Sequence, residues 1–221
     1  MLAGSRRRIL ERLPDTALVL DVGGWARPFP RADWVLDLMP HATRGMLGSD
    51  GPGPERFSER TWVERDICAR EPWPFADGQF DFAICSHTLE DVRDPVHVCQ
   101  ELQRVARAGY VEVPSRLEEQ AYGIQGPWVG WGHHHWLIEP ADGGLAFVFK
   151  PHILHGRPEF QLPPEAHARL GEEERSLTLW WEGGFPATER IHLGTGELER
   201  WLQAGVAAHR PPARRRRLGR R

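Results

Sequence analysis

Three aspartates follow three short apolar runs in the first third of the chain, and their spacing indicates a shared binding edge. Asp21 ends the run that starts at Ala17, Asp37 ends the run that starts at Trp34, and Asp66 follows a third, more polar run. Short apolar runs are typical of buried parallel strands, whose carboxyl ends meet at one edge of a sheet. Open α/β sheets bind ligands at that edge, where carboxylates can accept hydrogen bonds from amines and hydroxyls.

A sharp turn follows the first of these acids. Gly23 and Gly24 stand two and three residues after Asp21, and glycine permits the backbone angles of a tight turn. The dinucleotide fingerprint G-x-G-x-x-G is not met, because Trp25 and Pro28 occupy its later glycine positions. A pyrophosphate needs those glycines for close contact with backbone amides. The turn therefore favours a ligand that lacks phosphate. Asp21, close to the turn, favours a ligand that carries a positive charge.

A fourth apolar run ends in polar groups suited to the same edge. The run from Phe82 leads into Ser86 and His87, as expected for a strand buried on both faces that delivers side chains to the sheet edge. Asp94 and Pro95 then predict the start of a helix, with the aspartate as its cap. A motif for ligand contact is thus expected between this strand and this helix.

Taken in order, these features resemble those of class I S-adenosylmethionine-dependent methyltransferases. Their fourth-strand motif is similar to FDLVxSxxxLEHVxDP, and residues 80–95 read FDFAICSHTLEDVRDP. The resemblance covers residues 17–114 and implies S-adenosylmethionine as the cofactor. It implies an acid with glycines at the first strand, an acid for the ribose and an acid for the adenine amine. The implied cofactor-binding residues are Asp21, Gly23, Gly24, Asp37, Asp66, Ile67 and Ser86.

Two segments depart from the family pattern. Trp25 and Arg27 replace glycines of the D-x-G-x-G-x-G loop, and Asp91 replaces the histidine of the LEHV segment. A methyltransferase-like binding or scaffold protein without catalysis is therefore the alternative to the enzyme. The turn that starts at Pro28 is similar to one in methyltransferase-like proteins of bacterial carbohydrate clusters. This similarity implies a small-molecule acceptor in sugar or natural-product biosynthesis.

Four histidines are the candidate catalytic residues. Positioning supplies much of the rate of methyl transfer, and a hydroxyl or amine acceptor also loses a proton, for which His is the usual base near neutral pH. His133, His134 and His135 follow the fifth predicted strand, whereas His87 lies nearer the predicted cofactor. Three roles stay open for the cluster: substrate contact or base, structural hydrogen bonding, and metal binding. Because side chains alternate along a strand, three consecutive histidines cannot all face one ion, and no metal ligand is assigned.

The remaining pattern predicts an α/β protein with a Rossmann-like three-layer sandwich and a mostly parallel sheet. Residues 39–60 are too rich in Gly and Pro for the usual crossover helix. One hairpin is predicted around residues 141–144 and a C-terminal antiparallel hairpin around Gly183-Gly184. We expect a single domain over residues 1–208, with a cap or insert at about 115–175.

Composition limits the class of protein. A chain of 221 residues with 40% apolar content can bury one full core. Cys68, Cys85 and Cys99 have no C-x-x-C spacing, which fits a reduced protein, and no apolar run approaches the roughly 18 residues of a membrane span. We therefore expect a cytoplasmic protein with no membrane partner. The family resemblance further implies a bacterial protein that acts on a small molecule.

The C-terminal end is strongly basic. Residues 206–221 contain seven arginines and no acid, so the body before them carries 21 basic and 31 acidic residues within an overall net charge of −3. Basic ends can bind nucleic acid. Residues 209–221 are expected instead to form a disordered, solvated tail, and a nucleic-acid partner is not expected. The sequence does not predict the oligomeric state.

Overall fold

The computed structural model describes residues 1–209, in which five short segments form the parallel strands of one sheet. The strands are β1 (Val19–Val22), β2 (Trp34–Asp37), β3 (Trp62–Glu64), β4 (Phe82–Ser86) and β5 (Ala108–Pro114). They pair in the order β3-β2-β1-β4-β5. The strand order reverses between β1 and β4, and a crevice is expected there at the carboxyl ends. Most of the predicted basic tail lies outside the described residues.

A second, smaller sheet contains the hairpin of β6 (Trp136–Ala141) and β7 (Gly144–Phe149). The predicted turn around residues 141–144 is confirmed. Apolar side chains on one side of this hairpin belong to the same buried cluster as β4 and the helix that follows it. The small sheet is therefore packed onto the main sheet.

The predicted C-terminal hairpin is wrong in its pairing. β8 (Ser176–Glu182) runs antiparallel to β5 along seven residues, whereas β9 (Ala187–Glu189) pairs parallel with β7 in the small sheet. Trp181 lies against Gly109, where a Cβ atom would collide with its indole ring. Phe185 then packs on Trp181 at a ring distance of 5.5 Å and is buried. These contacts hold β8 on the main sheet. The chain then crosses to the small sheet, where β9 pairs with β7.

The helices cover both faces of the main sheet. They are α1 (Ala3–Arg12), α2 (Pro95–Val105), α3 (Arg116–Glu119), α4 (Ile153–Gly156), α5 (Pro164–His167), α6 (Glu172–Arg175) and α7 (Thr195–Ala207). Ile9 of α1 packs on one face of the sheet, and Val98 and Leu102 of α2 pack on the other. Asp94 caps α2 by accepting the His97 N–H at 3.0 Å, as predicted. The predicted α/β class is confirmed: a mostly parallel sheet forms the middle of three layers, with helices on both of its faces.

The connection between β2 and β3 is irregular, as predicted. It contains only two 3₁₀ turns, His41–Thr43 and Glu59–Thr61. Backbone bonds such as Leu47 N–H to Ala26 O, at 2.8 Å, fasten this connection to the turn after β1. Within residues 1–209, no helix has both the length and the apolar character needed to cross a bilayer. The cytoplasmic location and the single domain over 1–208 stay predictions.

Candidate cofactor and acceptor site

One cavity of about 1300 Å³ opens along the carboxyl edge of the main sheet. Pockets for drug-sized ligands usually enclose about 300–1,000 Å³, so this one has room for a cofactor and a second small molecule. Every site residue assigned from the sequence lines it: Asp21, Gly23, Gly24, Asp37, Asp66, Ile67, Ser86, His87, His133, His134 and His135. The fold thus brings the strand-end acids and the histidine cluster to one place.

Asp21 lies within β1, and its carboxyl group contacts the turn that follows the strand. Its buried Oδ2 accepts the Phe29 N–H at 2.9 Å. Burial raises the pKa of Asp21 to about 7, against the opposite effect of this backbone hydrogen bond. Gly23 has a φ of 77°, and a Cβ atom at Gly24 would overlap Asp21 Oδ2. The two glycines are therefore required by the backbone angle and by the close approach of the carboxyl group.

Asp37 is oriented by two backbone amides. Its Oδ2 accepts the Trp25 N–H at 2.9 Å, and its Oδ1 accepts the Met39 N–H at 2.8 Å. Burial raises the pKa of Asp37, and these hydrogen bonds act against that rise. Each carboxylate oxygen keeps a second lone pair for a ligand. Trp25, which departs from the family pattern, thus uses its main chain to aim the predicted ribose-binding acid.

Asp66 is paired with an arginine. Its Oδ2 lies 2.7 Å from Arg93 Nη1, and its Oδ1 accepts the Cys68 N–H at 2.9 Å. Burial would raise the pKa of Asp66, but Arg93 and the backbone bond outweigh it and lower the pKa. Ile67 is buried beside it and lines the cavity. This part of the cavity therefore offers a fixed carboxylate that can accept a hydrogen bond from an amine. It also offers an apolar surface that can contact a flat heterocycle.

Two buried oxygens in the cavity wall lack partners among the described residues. They are Ser86 Oγ at the end of β4 and Glu90 Oε2 in the turn that follows. Buried polar atoms normally make hydrogen bonds, and leaving one unpaired costs about 1–3 kcal/mol. A ligand with an ammonium and hydroxyl groups would satisfy both oxygens. S-adenosylmethionine, with its amino and carboxylate groups and its ribose, fits this requirement.

His87 lies in the cavity wall between two glutamates. Its Nε2 lies 3.1 Å from Glu112 Oε1, its Nδ1 lies 3.5 Å from Glu90 Oε1, and its φ of 53° is unusual for a residue other than glycine. Burial lowers the pKa of His87, but the two glutamates outweigh it and raise the pKa to about 9. A protonated imidazole has no lone pair with which to accept a proton. We therefore expect His87 to carry a positive charge near neutral pH, which disfavours a role as a general base.

Glu112 supports the site residue His87 and was not identified from the sequence. It is buried in β5, bonds to His87, and accepts hydrogen bonds from the Tyr110 hydroxyl and from the Leu2 N–H at 2.9 Å, next to the start of α1. Burial would raise the pKa of Glu112, but His87 and the other donors lower it to about 2. An acid in the middle of an apolar strand was the signal that could have identified it.

The pair of His87 and Glu112 predicts a pH dependence of stability. The His87 contribution is complete below its ordinary pKa of 6.5 and is lost as the pH rises through about 9. The Glu112 contribution is present above 4.5 and is lost as the pH falls through about 2. Replacing His87 by Gln should therefore flatten the decline in unfolding free energy between pH 6.5 and 9. Urea unfolding across this range measures the effect.

The exposed His152 provides the matched control for that series. His152→Gln should decline with pH as the parent protein does. Parallel decline of the parent and His87→Gln would show that the pair does not stabilise the fold.

The segment of residues 131–135, called here the His loop, is fastened to the turn after β4. The His135 N–H donates to Glu90 O at 2.7 Å, and the indole N–H of Trp136 donates to Val92 O at 2.8 Å. These two bonds flank Asp91. The turn around Asp91 is thus held beside the His loop by one main-chain bond and one indole bond.

His134 is the most firmly held histidine of the loop. Its Nδ1 lies 2.6 Å from Glu119 Oε1, and Lys150 Nζ donates to Glu119 Oε2 at 2.8 Å and to Trp131 O at 2.9 Å. Glu119 and Lys150 are buried. Sequence reasoning missed both residues, although Lys150 is the only lysine of the chain. This network directs His134 Nε2 toward Asp91, whereas the His133 ring is more exposed.

The comparisons with known proteins agree with the sequence resemblance. Residues 53–111 match the family model of the methyltransferase domain. This segment contains β3, β4 and α2, and it includes Asp66, Ser86 and His87. The match confirms the resemblance to class I S-adenosylmethionine-dependent methyltransferases and implies S-adenosylmethionine as the cofactor. No curated protein matches the chain.

Solved structures with a similar arrangement include two S-adenosylmethionine-dependent methyltransferases. One, from Mesorhizobium loti, is 16% identical with a TM-score of 0.39, over 66% of this chain and 62% of that one. The other, from Methanosarcina mazei, is 17% identical with a TM-score of 0.37, over 49% of this chain and 57% of that one. The chain thus spans less than two thirds of the length of either structure.

Proposed function

We propose that this protein of the class I methyltransferase type transfers a methyl group from S-adenosylmethionine to a small-molecule acceptor. The observation that carries the proposal is the single cavity lined both by the strand-end acids and by the His loop. A methyltransferase must place its cofactor and its acceptor in contact, because positioning supplies much of the rate. The turn from Pro28 supports an acceptor in sugar or natural-product biosynthesis through its similarity to proteins of carbohydrate clusters.

The cofactor end of the cavity contains the acids and the two unpartnered oxygens. Asp37 would hold ribose hydroxyls, Asp66 with Ile67 would hold the adenine, and Ser86 with Glu90 would hold the amino acid part. When bound, S-adenosylmethionine supplies an electrophilic methyl group on a sulfonium. The carboxylates nearby favour a positively charged ligand in this partly buried space. The protein therefore orients the ligand and balances its charge.

The acceptor end is formed by the His loop. The indole of Trp131 lines the cavity and packs against the His134 ring at a ring distance of 5.9 Å. It keeps water away from an acceptor at this end, and the imidazole of His134 contacts that acceptor. Glu119 fixes the ring, as a carboxylate fixes the histidine in other catalytic pairs. The imidazole can then assist loss of the acceptor proton.

Replacing Asp37 by Ala is expected to weaken binding of S-adenosylmethionine by about 1–3 kcal/mol, because the change removes the hydrogen bonds that the ligand would donate to the Asp37 carboxylate. Isothermal titration with S-adenosylmethionine and S-adenosylhomocysteine measures the loss. Asp77→Ala is the control, since Asp77 is 83% exposed and does not line the cavity. An unchanged dissociation constant in a folded Asp37→Ala protein would refute the assignment.

The turn after β1 gives a specific reason to test the alternative of a binding protein without catalysis. Trp25 replaces a family glycine, and its main-chain N–H already uses one lone pair of an Asp37 oxygen. Such a protein would bind S-adenosylmethionine stoichiometrically. It would form no S-adenosylhomocysteine with hydroxyl, amine or carboxylate acceptors, whereas the enzyme would form it with its acceptor class.

A further inference from the structure

The His loop and the turn after β4 bring three metal-ligating side chains together. His133 Nε2 and His134 Nε2 lie 3.8 Å and 3.7 Å from Asp91 Oδ1, and the three donor atoms are within 4.8 Å of one another. These distances are too long for hydrogen bonds. A metal ion about 2.0–2.2 Å from each ligand atom could span the two shorter separations, after a small rotation of the exposed His133 ring.

The local backbone removes the objection that the sequence pattern raised. Residues 133–135 precede β6 and do not lie on a strand, so their side chains need not alternate. The His133 and His134 rings stand 4.5 Å apart, with the Nε2 atom of each near the same carboxylate. Two consecutive histidines can therefore serve one ion.

The partners of His134 are those of a metal-bound imidazole. Its Nδ1 lies 2.6 Å from Glu119 Oε1, and Lys150 holds that glutamate from the other side. Metal-ligating histidines almost always donate their second ring N–H to a carboxylate or carbonyl, which fixes the tautomer. With the proton on Nδ1, the lone pair of Nε2 points toward the Asp91 oxygen. A cation between these two electron-rich atoms would satisfy both.

We propose that Asp91, His133 and His134 bind a divalent transition-metal ion of the Zn²⁺ type at the acceptor end of the cavity. Two histidines and one carboxylate form a catalytic rather than a structural ligand set, because they leave positions open. All three residues line the cavity, so the open positions face the acceptor space. A hydroxyl or carboxylate oxygen of the acceptor would coordinate there, and the ion would lower the pKa of a bound hydroxyl.

The site also explains the substitution in the fourth-strand motif. The chain has Asp91 where the family motif has histidine, and this aspartate is the carboxylate of the cluster. The acceptor role of the ion rests on the proposed function. Binding of the ion does not, because it is measured without cofactor or acceptor.

Calorimetric titration of the full-length, chelator-treated protein with Zn²⁺, and with Co²⁺ for its absorption spectrum, tests the site. We expect one equivalent to bind. Glu119→Gln should weaken binding about 10–100-fold, as loss of an outer-shell partner does, and Asp91→Asn and His133→Ala should weaken it further. Asp91 and His133 are 41% and 58% exposed, so these two variants are expected to fold.

The exposed His152 supplies the control, since His152→Ala should bind the ion like the parent protein. Absence of stoichiometric binding, or binding that Asp91→Asn and His133→Ala leave unchanged, would overturn the site. Titration with S-adenosylmethionine in the same samples separates this failure from that of the proposed function. A protein that binds the cofactor but no metal would still be a methyltransferase candidate.

Discussion

Replacing His134 by Ala is expected to lower turnover by about 10²–10⁴-fold while the affinity for S-adenosylmethionine stays nearly unchanged. In the proposed function the imidazole contacts the acceptor, so its loss removes the group that assists release of the acceptor proton, directly or through a bound ion. Asp37 and Asp66 are held by other partners, Trp25 and Arg93, and not by this ring. Initial-rate kinetics together with calorimetric titration of the cofactor measure the two effects.

His152→Ala is the matched control for this experiment, because it removes an exposed imidazole that does not line the cavity. The amount of folded protein is measured by circular dichroism in every sample. Turnover per folded molecule that is preserved in His134→Ala, with a lower melting temperature, would assign the histidine to structure alone.

Replacing Glu119 by Ala is expected to lower the free energy of unfolding by about 3–5 kcal/mol, because it leaves the Lys150 ammonium buried without its carboxylate. Lys150 Nζ lies 2.8 Å from Glu119 Oε2, and both side chains are at most 5% exposed. A loss of this size is a large part of the roughly 5–15 kcal/mol that stabilises a typical domain. Urea unfolding measures it.

Two further variants test the cause of that loss. Glu165→Ala removes an exposed glutamate and should change stability by less than about 0.5 kcal/mol. Glu119→Gln combined with Lys150→Met removes both charges and should recover part of the stability, because no ion is then left unpaired. A loss under 1 kcal/mol in Glu119→Ala would show that water reaches the lysine.

The acids at the strand ends could be predicted from sequence because the order of parallel strands follows from local patterns. Asp21 and Asp37 close short apolar runs and Asp66 follows a more polar one, and the carboxyl ends of such parallel strands meet at one edge. Their convergence required no knowledge of distant contacts. The roles of individual atoms did require it: Asp37 is bonded by Trp25 and Asp66 by Arg93, and neither partner is marked by a periodic pattern.

The supports of the His loop were beyond sequence reasoning for the same reason. Glu119 belongs to a short helix after β5, and Lys150 follows the hairpin of the small sheet, 31 residues later. The predicted pairing of the C-terminal strands was wrong because it was inferred from a Gly-Gly turn, which is a local signal. The contact of Trp181 with Gly109 is a distant one, and it determined which strand became the partner of β8.

The main-chain bond from His135 to Glu90 has a consequence for the energetics of binding. Glu90 contributes its carbonyl to the His loop, and its unpartnered Oε2 belongs to the part of the cavity where we propose that the cofactor binds. A ligand that shifts this residue at one end therefore changes the free energy of binding at the other. Such coupling is reciprocal, so the cofactor and the acceptor should alter each other's affinity by the same factor. Each substrate's apparent affinity then depends on the concentration of the other.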